Sequence, residues 1–245
     1  MSTSYDAIAQ EYKDSKMLPW RLHVEAATFF NLIGDLSGLR VLDLACGEGF
    51  YTRQFKIRGA ARVVGVDISR AMIQLAREEE EQQPMGLDYH VRDVLSLDLG
   101  EKFDLICAAY LLNYARHADE LTQMAQVIAN HLKPGGRFVT VNSNPDYQCA
   151  TDAMFAYGFT RENEGQAEGA EVIYRFYQPD GSHVAVTNYH LARSTHEQAL
   201  RQAGFTDLQW QAMAVSPEGE AAFGQAYWAD ILAGQPVVGL SCVRT

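Results

Sequence analysis

Along the first 142 residues, short apolar runs rich in β-branched side chains alternate with longer stretches whose apolar positions recur at helical spacing. The runs are RVLDLA (40–45), RVVGVD (62–67), LDYHVRD (87–93), FDLICAAY (103–110) and GRFVTVN (136–142), and the amphipathic stretches between them cover 50–58, 70–83 and 117–132. Apolar runs of this length suit strands covered on both faces, and one helix between successive strands suits parallel pairing with right-handed crossovers. The expectation is an α/β fold around a parallel sheet. After Asn142 the rhythm changes. AEVIYRFYQ and HVAVTNYHL flank Pro-Asp-Gly-Ser and predict a β-hairpin, while STHEQALRQAGF predicts a short helix ending at Gly204. DLQWQAMAV (207–215) and VVGLSCVRT (237–245) predict two closing strands around a helix near Glu220 to Leu232. At the start of the chain Tyr5, Ile8, Ala9 and Tyr12 share one helical face, and Pro19 bends the backbone before Trp20 and Arg21.

Length and composition narrow the classes. With 245 residues, 47% of them apolar, the chain can bury one large core, and no linker or internal repeat divides it. Lys and Arg number 20 against 31 Asp and Glu, a formal net charge of −11, so the average surface repels phosphate polyanions and the expected partner is a small molecule rather than nucleic acid or membrane. Cys46, Cys107, Cys149 and Cys242 are too scattered for a paired metal motif, the histidines show no ligand spacing, and no metal is expected. A basic-then-apolar leader and an apolar run of membrane-spanning length are both missing, which predicts a soluble, cytoplasmic protein. The oligomeric state has no signature in the sequence.

The chemistry concentrates in VLDLACGEGFYT (41–52). Gly47 and Gly49 remove side chains from the first strand-to-helix turn, at the carboxyl edge where open α/β sheets bind ligands. Thr52 stands where a dinucleotide fingerprint needs its third glycine, no Gly-Lys-Ser/Thr follows for a phosphate-cradling loop, and the Tyr-x-x-x-Lys spacing of Tyr12 and Lys16 precedes the turn instead of following it. Asp67 ends the second run, 20 residues beyond Gly47, where a carboxylate can accept from both ribose hydroxyls. Asp93 ends the third, where it can accept from an exocyclic adenine amine. Ribose and adenine without a phosphate grip indicate an adenosine ligand lacking phosphates.

LDLACGEG, VVGVDIS, HVRDV, FDLICAAYLLNYA and LKPGGRFV, in that order over about residues 38–142, resemble the motif set of class I S-adenosylmethionine-dependent methyltransferases. The resemblance implies a Rossmann-like, seven-stranded, mostly parallel sheet with an antiparallel last strand and helices on both faces. Within one domain it implies an N-terminal helical lid (1–37), a cofactor-binding core (38–142), a hairpin-bearing insertion over the substrate (143–192) and closing helices and strands (193–245). The implied cofactor is S-adenosylmethionine and the product S-adenosylhomocysteine. By the same resemblance Asp43, Ala45, Gly47 and Gly49 hold the methionine part and Asp67 the ribose. Ile68 and Met72 flank the adenine, Asp93 and Val94 read its edge, and Ala108 to Leu111 hold the amino end through backbone carbonyls. Ala45 replaces the family's usual first glycine, a departure that costs little if the backbone there avoids positive φ. The N-terminal run YDAIAQEYKDS…LPWR…HVEAATFFNLIGDLSG is similar to the toxoflavin-biosynthesis methyltransferases, which methylate ring nitrogens of an azapteridine.

Methyl transfer from a sulfonium is an in-line displacement that calls for alignment, exclusion of water and, for some acceptors, a base. Candidate substrate contacts are Tyr5 and Trp20 in the N-terminal segment, Asn142 at the end of the fifth run and Tyr177 in the hairpin; the N-terminal helix serves equally well as a lid or as packing on the sheet. Tyr12, Asn113 and His190 are the catalytic candidates. His190 has the pKa range of a base, although a lone histidine is more often structural, and Asn113 and Asn142 suit orienting roles, with His117 close by. The expected function is N-methylation of a small planar heterocycle, an azapteridine by resemblance. O- or carboxyl-methylation of another small metabolite and a non-catalytic cofactor-binding module are the alternatives, separated by turnover of the donor.

Overall fold

The computed structural model describes residues 5–163, 165–178 and 180–245. Five strands alternate with helices: β1 (Arg40–Leu44), β2 (Arg62–Asp67), β3 (Asp88–Val91), β4 (Phe103–Ala109) and β5 (Leu132–Ser143), with α3 (Phe50–Ile57), α4 (Arg70–Gln82) and α5 (Ala118–His131) following β1, β2 and β4. Preceding them are α1 (Tyr5–Ser15), a π-helical segment at Arg21–Glu25 and α2 (Ala26–Ile33). The remainder comprises β6 (Phe159–Asn163), β7 (Glu171–Tyr177), β8 (His183–Tyr189), α6 (Arg193–Gln202), β9 (Phe205–Gln211), α7 (Pro217–Phe223), α8 (Gln225–Gly234) and β10 (Val237–Arg244).

The main sheet has seven strands in the order β3-β2-β1-β4-β5-β10-β9, and β6-β7-β8 form a second sheet. β1 pairs in parallel with β2 and β4, whereas β10 is antiparallel to both β5 and β9, so the antiparallel strand is the last in sequence. Alternation along the buried strands divides the core. Leu42, Leu44, Val64, Val66, Ile106 and Ala108 pack with α5 and α6, while Val41, Val63, Leu105 and Cys107 pack with α2, α3 and α4. Asp43 falls on the second face, beneath α3. β2 carries Gly65 because a Cβ there would lie 2.7 Å from the Tyr89 ring and 2.9 Å from Cys46 Sγ.

Several elements differ from expectation. The N-terminal helix continues to Ser15 with a non-helical residue at Ile8, and the chain resumes a helical path after Pro19 through α2, whose near-continuous apolar character gave no periodic signal. β6 (FTREN) is short and mixed, and becomes a strand by pairing antiparallel with β7. The helix expected near Glu220 to Leu232 is two, broken at Gly224 with φ +76°. In the β7–β8 turn Pro179 lies outside the described residues; Asp180 Oδ1 accepts from the Ser182 amide at 2.9 Å. Among the described residues no helix is long and apolar enough to cross a membrane.

The small sheet is fastened to the N-terminal segment by aromatic rings. Phe159, fully buried, stands 4.7 Å from Trp20 and packs on Tyr174 and Phe176, which in turn meets Tyr12. Replacing Phe159 by Ala leaves a cavity at this junction and is expected to cost about 3–5 kcal/mol, a fall in Tm on the order of 10 °C for a domain of this size by scanning calorimetry. An unchanged Tm would mean that the two sheets are not energetically joined here.

Candidate active site

A cavity of ≈ 370 Å³ opens above the carboxyl ends of β1, β2 and β4. Its floor is the turn after β1, where Ala45 (φ +55°), Gly47 (φ +57°) and Gly49 (φ +85°) are left-handed. The condition for a cheap replacement at Ala45 is not met: its positive φ costs on the order of 1–2 kcal/mol, a strain held in place at the edge of the cavity. Asp67 fixes the turn, accepting from the Gly47 amide at 2.9 Å and the Ser69 amide at 2.8 Å. Ser69 caps α4, its hydroxyl accepting from the Met72 amide at 3.1 Å. Gly49 begins α3 away from the cavity, and a side chain there would run into Tyr89.

Most residues expected to hold the donor come together. Asp43, Ala45, Gly47, Asp67, Ile68, Met72, Asp93, Val94 and Leu111 line the cavity. Ala108 does not, because the pleat of β4 turns it toward α5; Ala109, on the opposite face, lines the cavity in its place. Asp93 also closes its own turn by accepting from the Leu95 amide at 2.9 Å.

The expected acceptor residues separate. Tyr5 and Tyr12 line the cavity, and Trp20 stands behind them in an adjoining niche. Tyr177 pairs with His183 at the turn end of the hairpin, whereas Tyr189, at the other end of the register, reaches the cavity with Thr187. His190 follows them out of the period that faces the cavity; its backbone bonds Gly169 and Ala170, and burial lowers its pKa. Asn142 donates to Thr140 Oγ1 at 2.8 Å within the sheet, and Asn113 is buried, with neither side-chain polar atom hydrogen-bonded. Neither lines the cavity. His117 caps α5, its Nδ1 accepting from the Glu120 amide at 3.3 Å. Among the described residues no histidine lines the cavity.

Acidic side chains are concentrated below the turn. Burial, opposed by the Thr52 hydroxyl at 2.6 Å and by Lys16 and reinforced by Asp67 and Glu48, pushes the Asp43 carboxyl up to about 7. Burial likewise raises Asp67, and Glu48 Oε2 is buried without a partner. Lys16 faces these groups, 8% exposed, with its Nζ 5.4, 5.5 and 5.9 Å from the ring centres of Tyr12, Tyr51 and Tyr110. No carboxylate of the described residues lies within ion-pair distance of it. The tyrosines are positioned by Glu25, fully buried, which accepts from Tyr51 Oη at 2.8 Å and from Tyr110 Oη, and lies 3.7 Å from Arg21. Tyr5 and Tyr114 join hydroxyl to hydroxyl on the wall of the cavity. Lys16 and Glu25 are the residues sequence reasoning missed. Their signals were the four-residue spacing of Lys16 from Tyr12 and a lone acid inside the apolar stretch from Val24 to Ile33.

Residues 41–136 match the family model described as a methyltransferase domain. A dTDP-4-amino-2,3,4,6-tetradeoxy-D-glucose N,N-dimethyltransferase of Saccharopolyspora spinosa is 36% identical over 97 residues, 39% of this chain and 37% of that protein. A ubiquinone biosynthesis O-methyltransferase of Coxiella burnetii is 32% identical over 143 residues, 57% of this chain and 59% of the relative. The chain thus spans between about a third and three-fifths of these relatives. The crystal structure of an S-adenosylmethionine dependent methyltransferase from Mesorhizobium loti superposes with a TM-score of 0.66 at 19% identity, covering 94% of this chain and all of that one. The fold is accordingly the Rossmann-like fold of that structure, and the similarity to a methyltransferase domain covers residues 41–136.

Because Asp43 titrates higher in the folded chain than its ordinary value of 3.8, its contribution to stability is present in acid and is lost as pH rises toward about 7. Without ligand, Asp43→Asn is expected to gain in Tm over the parent as pH goes from about 4 to 7 and to hold that gain above. A pH-independent difference between the two melting curves would show that Asp43 is not held protonated.

Proposed function

We propose that this chain is an S-adenosylmethionine-dependent methyltransferase acting on nitrogen of a small planar heterocycle, of the azapteridine kind handled in toxoflavin biosynthesis. The observation that carries the cofactor is the charge of the cavity. Two buried aspartates with raised pKa values and an unpartnered glutamate oxygen surround a turn whose Gly47 amide is already bonded to Asp67. A phosphate would raise these pKa values further, whereas a cation lowers them and draws out the ionised carboxylates, and the donor's sulfonium and α-ammonium are cations. Asp67 would take the ribose, Ile68 and Met72 the adenine faces, Asp93 its edge, and Lys16 the α-carboxylate. The bound donor supplies an electrophilic methyl group; this chain's residues align it and keep water away.

The acceptor half supports nitrogen as the nucleophile. Burial holds the hydroxyls of Tyr5, Tyr110 and Tyr114 well above their usual pKa, so they stay neutral, and Glu120 at the rim is engaged by Arg116 at 3.1 Å. Neutral tyrosines and an engaged Glu120 make weak bases, and a ring nitrogen with an in-plane lone pair needs none. Tyrosine rings suit the faces of a flat acceptor. The likeness to a ubiquinone biosynthesis O-methyltransferase favours a second reading, transfer to a phenolic oxygen. Incubation with a demethylated azapteridine and labelled donor, followed by mass detection, decides between them: methyl increments on the heterocycle support the first reading, and methylation of a phenol alone replaces it with the second.

Lys16→Met tests the donor assignment separately. By calorimetry, affinity for S-adenosylhomocysteine is expected to fall by about 10- to 100-fold, the worth of a charge-assisted hydrogen bond, while 5′-methylthioadenosine, which lacks the amino-acid end, binds as before. Equal affinity of parent and variant for S-adenosylhomocysteine would remove Lys16 from the donor site.

A further inference from the structure

Behind the tyrosines of the acceptor half lies a second cavity, ≈ 20 Å³, whose lining includes Trp20, Arg21 and Asn188. It has room for about one oxygen atom of a ligand or one water. Tyr5, Tyr12, Tyr110 and Tyr114 border both this niche and the main cavity, so a flat molecule held between them presents its edge to it. Trp20 and Arg21 are each 2% exposed, and Trp20 Nε1, Arg21 Nε and Arg21 Nη1 have no hydrogen-bond acceptor. Glu25, 3.7 Å from Arg21 Nη1, is beyond hydrogen-bond reach. The guanidinium is otherwise walled by rings, 4.6 Å from the centre of Phe176 and 5.2 Å from those of Tyr12 and Trp20.

Indole and guanidinium groups donate and cannot accept, and buried donors left without an acceptor are rare because each forfeits its hydration. What completes the niche is therefore an oxygen that accepts. Of the neighbouring tyrosine hydroxyls, Tyr5 joins Tyr114, Tyr110 donates to Glu25 and Tyr174 joins Ser143, and that of Tyr12 lies beside the guanidinium but leaves Nε and Nη1 without an acceptor. We infer that the substrate is a ring bearing a carbonyl oxygen, or its ionised equivalent, and that this oxygen seats in the niche against Trp20 and Arg21. This deepens, and rests on, the reading of the main cavity as a methyltransferase site. A positively charged amine acceptor is disfavoured by the same arrangement, since it would face Arg21.

The test compares two rings of the same size, quinazoline-2,4-dione and quinazoline, titrated into the protein by calorimetry with and without S-adenosylhomocysteine. The dione is expected to bind at least tenfold more tightly. Trp20→Phe keeps the ring and removes one donor, and it should weaken the dione severalfold while leaving quinazoline unchanged. Equal affinities for the two rings in the parent protein would mean that the niche holds only water, and equal loss for both rings in Trp20→Phe, or no binding of either ring, would also overturn the inference. Binding of S-adenosylhomocysteine, read in the same titrations, reports on the donor site independently: its failure would remove the methyltransferase reading, and the ring comparison made without it would still decide the niche.

Discussion

The geometry of the site depends on one buried acid. Glu25, fully inaccessible, gathers the hydroxyl of Tyr51 from α3 and that of Tyr110 from the end of β4, with Arg21 one helical step before it. A carboxyl group in such surroundings is tolerated only because several donors meet it, and removing any one leaves polar atoms stranded. The π-helical turn from Arg21 to Glu25 brings the acid to these donors, as local widening of a helix commonly does beside a functional cavity. Tyr110 meets it with φ +65°, a left-handed conformation costly for a tyrosine, maintained here by its hydroxyl to Glu25 and its amide to Val141 O at 2.8 Å. The N-terminal segment, the first crossover helix and the fourth strand are tied at one point, and the aromatic ring set around Lys16 follows from that tie.

Above the tie, charge does the selecting. The turn after β1 has the backbone shape of a phosphate-binding loop, yet Asp67 occupies the Gly47 amide and Asp43, Asp67 and Glu48 crowd the space around it. The same backbone that would cradle an anion elsewhere is here surrounded by acids, which disfavour one. Lys16 limits the effect, supplying positive charge at one end of a negative cavity, so the two ends differ in what they attract.

The strands β1, β2, β4 and β5 were legible because both faces are covered and the sequence reads as short, mostly apolar runs. Donor-half residues were legible for a related reason: Asp43, Gly47, Asp67 and Asp93 sit at strand ends, so local sequence already fixes their place. The acceptor half had no such local code. Tyr5 meets Tyr114 across 109 residues and Tyr110 meets Glu25 across 85, contacts that only tertiary packing creates. His190 and Tyr177 were selected by residue type and fell outside, since the pairing register of the hairpin, set by its turn, brings Thr187 and Tyr189 to the cavity. Ala108 and Ala109 exchanged places for the plainest reason, a strand period of two.

The break at Ile8, with φ −126° and ψ 16°, gives the first turn of α1 a mechanical independence from the rest of the helix. That turn carries Asp6, which accepts from Ser69 Oγ at 2.5 Å and from the Ala71 amide at 3.1 Å at the start of α4, and Tyr5, joined to Tyr114 on the other side of the cavity. One short turn of chain is thus bonded to both sides of the cavity mouth. Any displacement of that turn would therefore loosen both sides together.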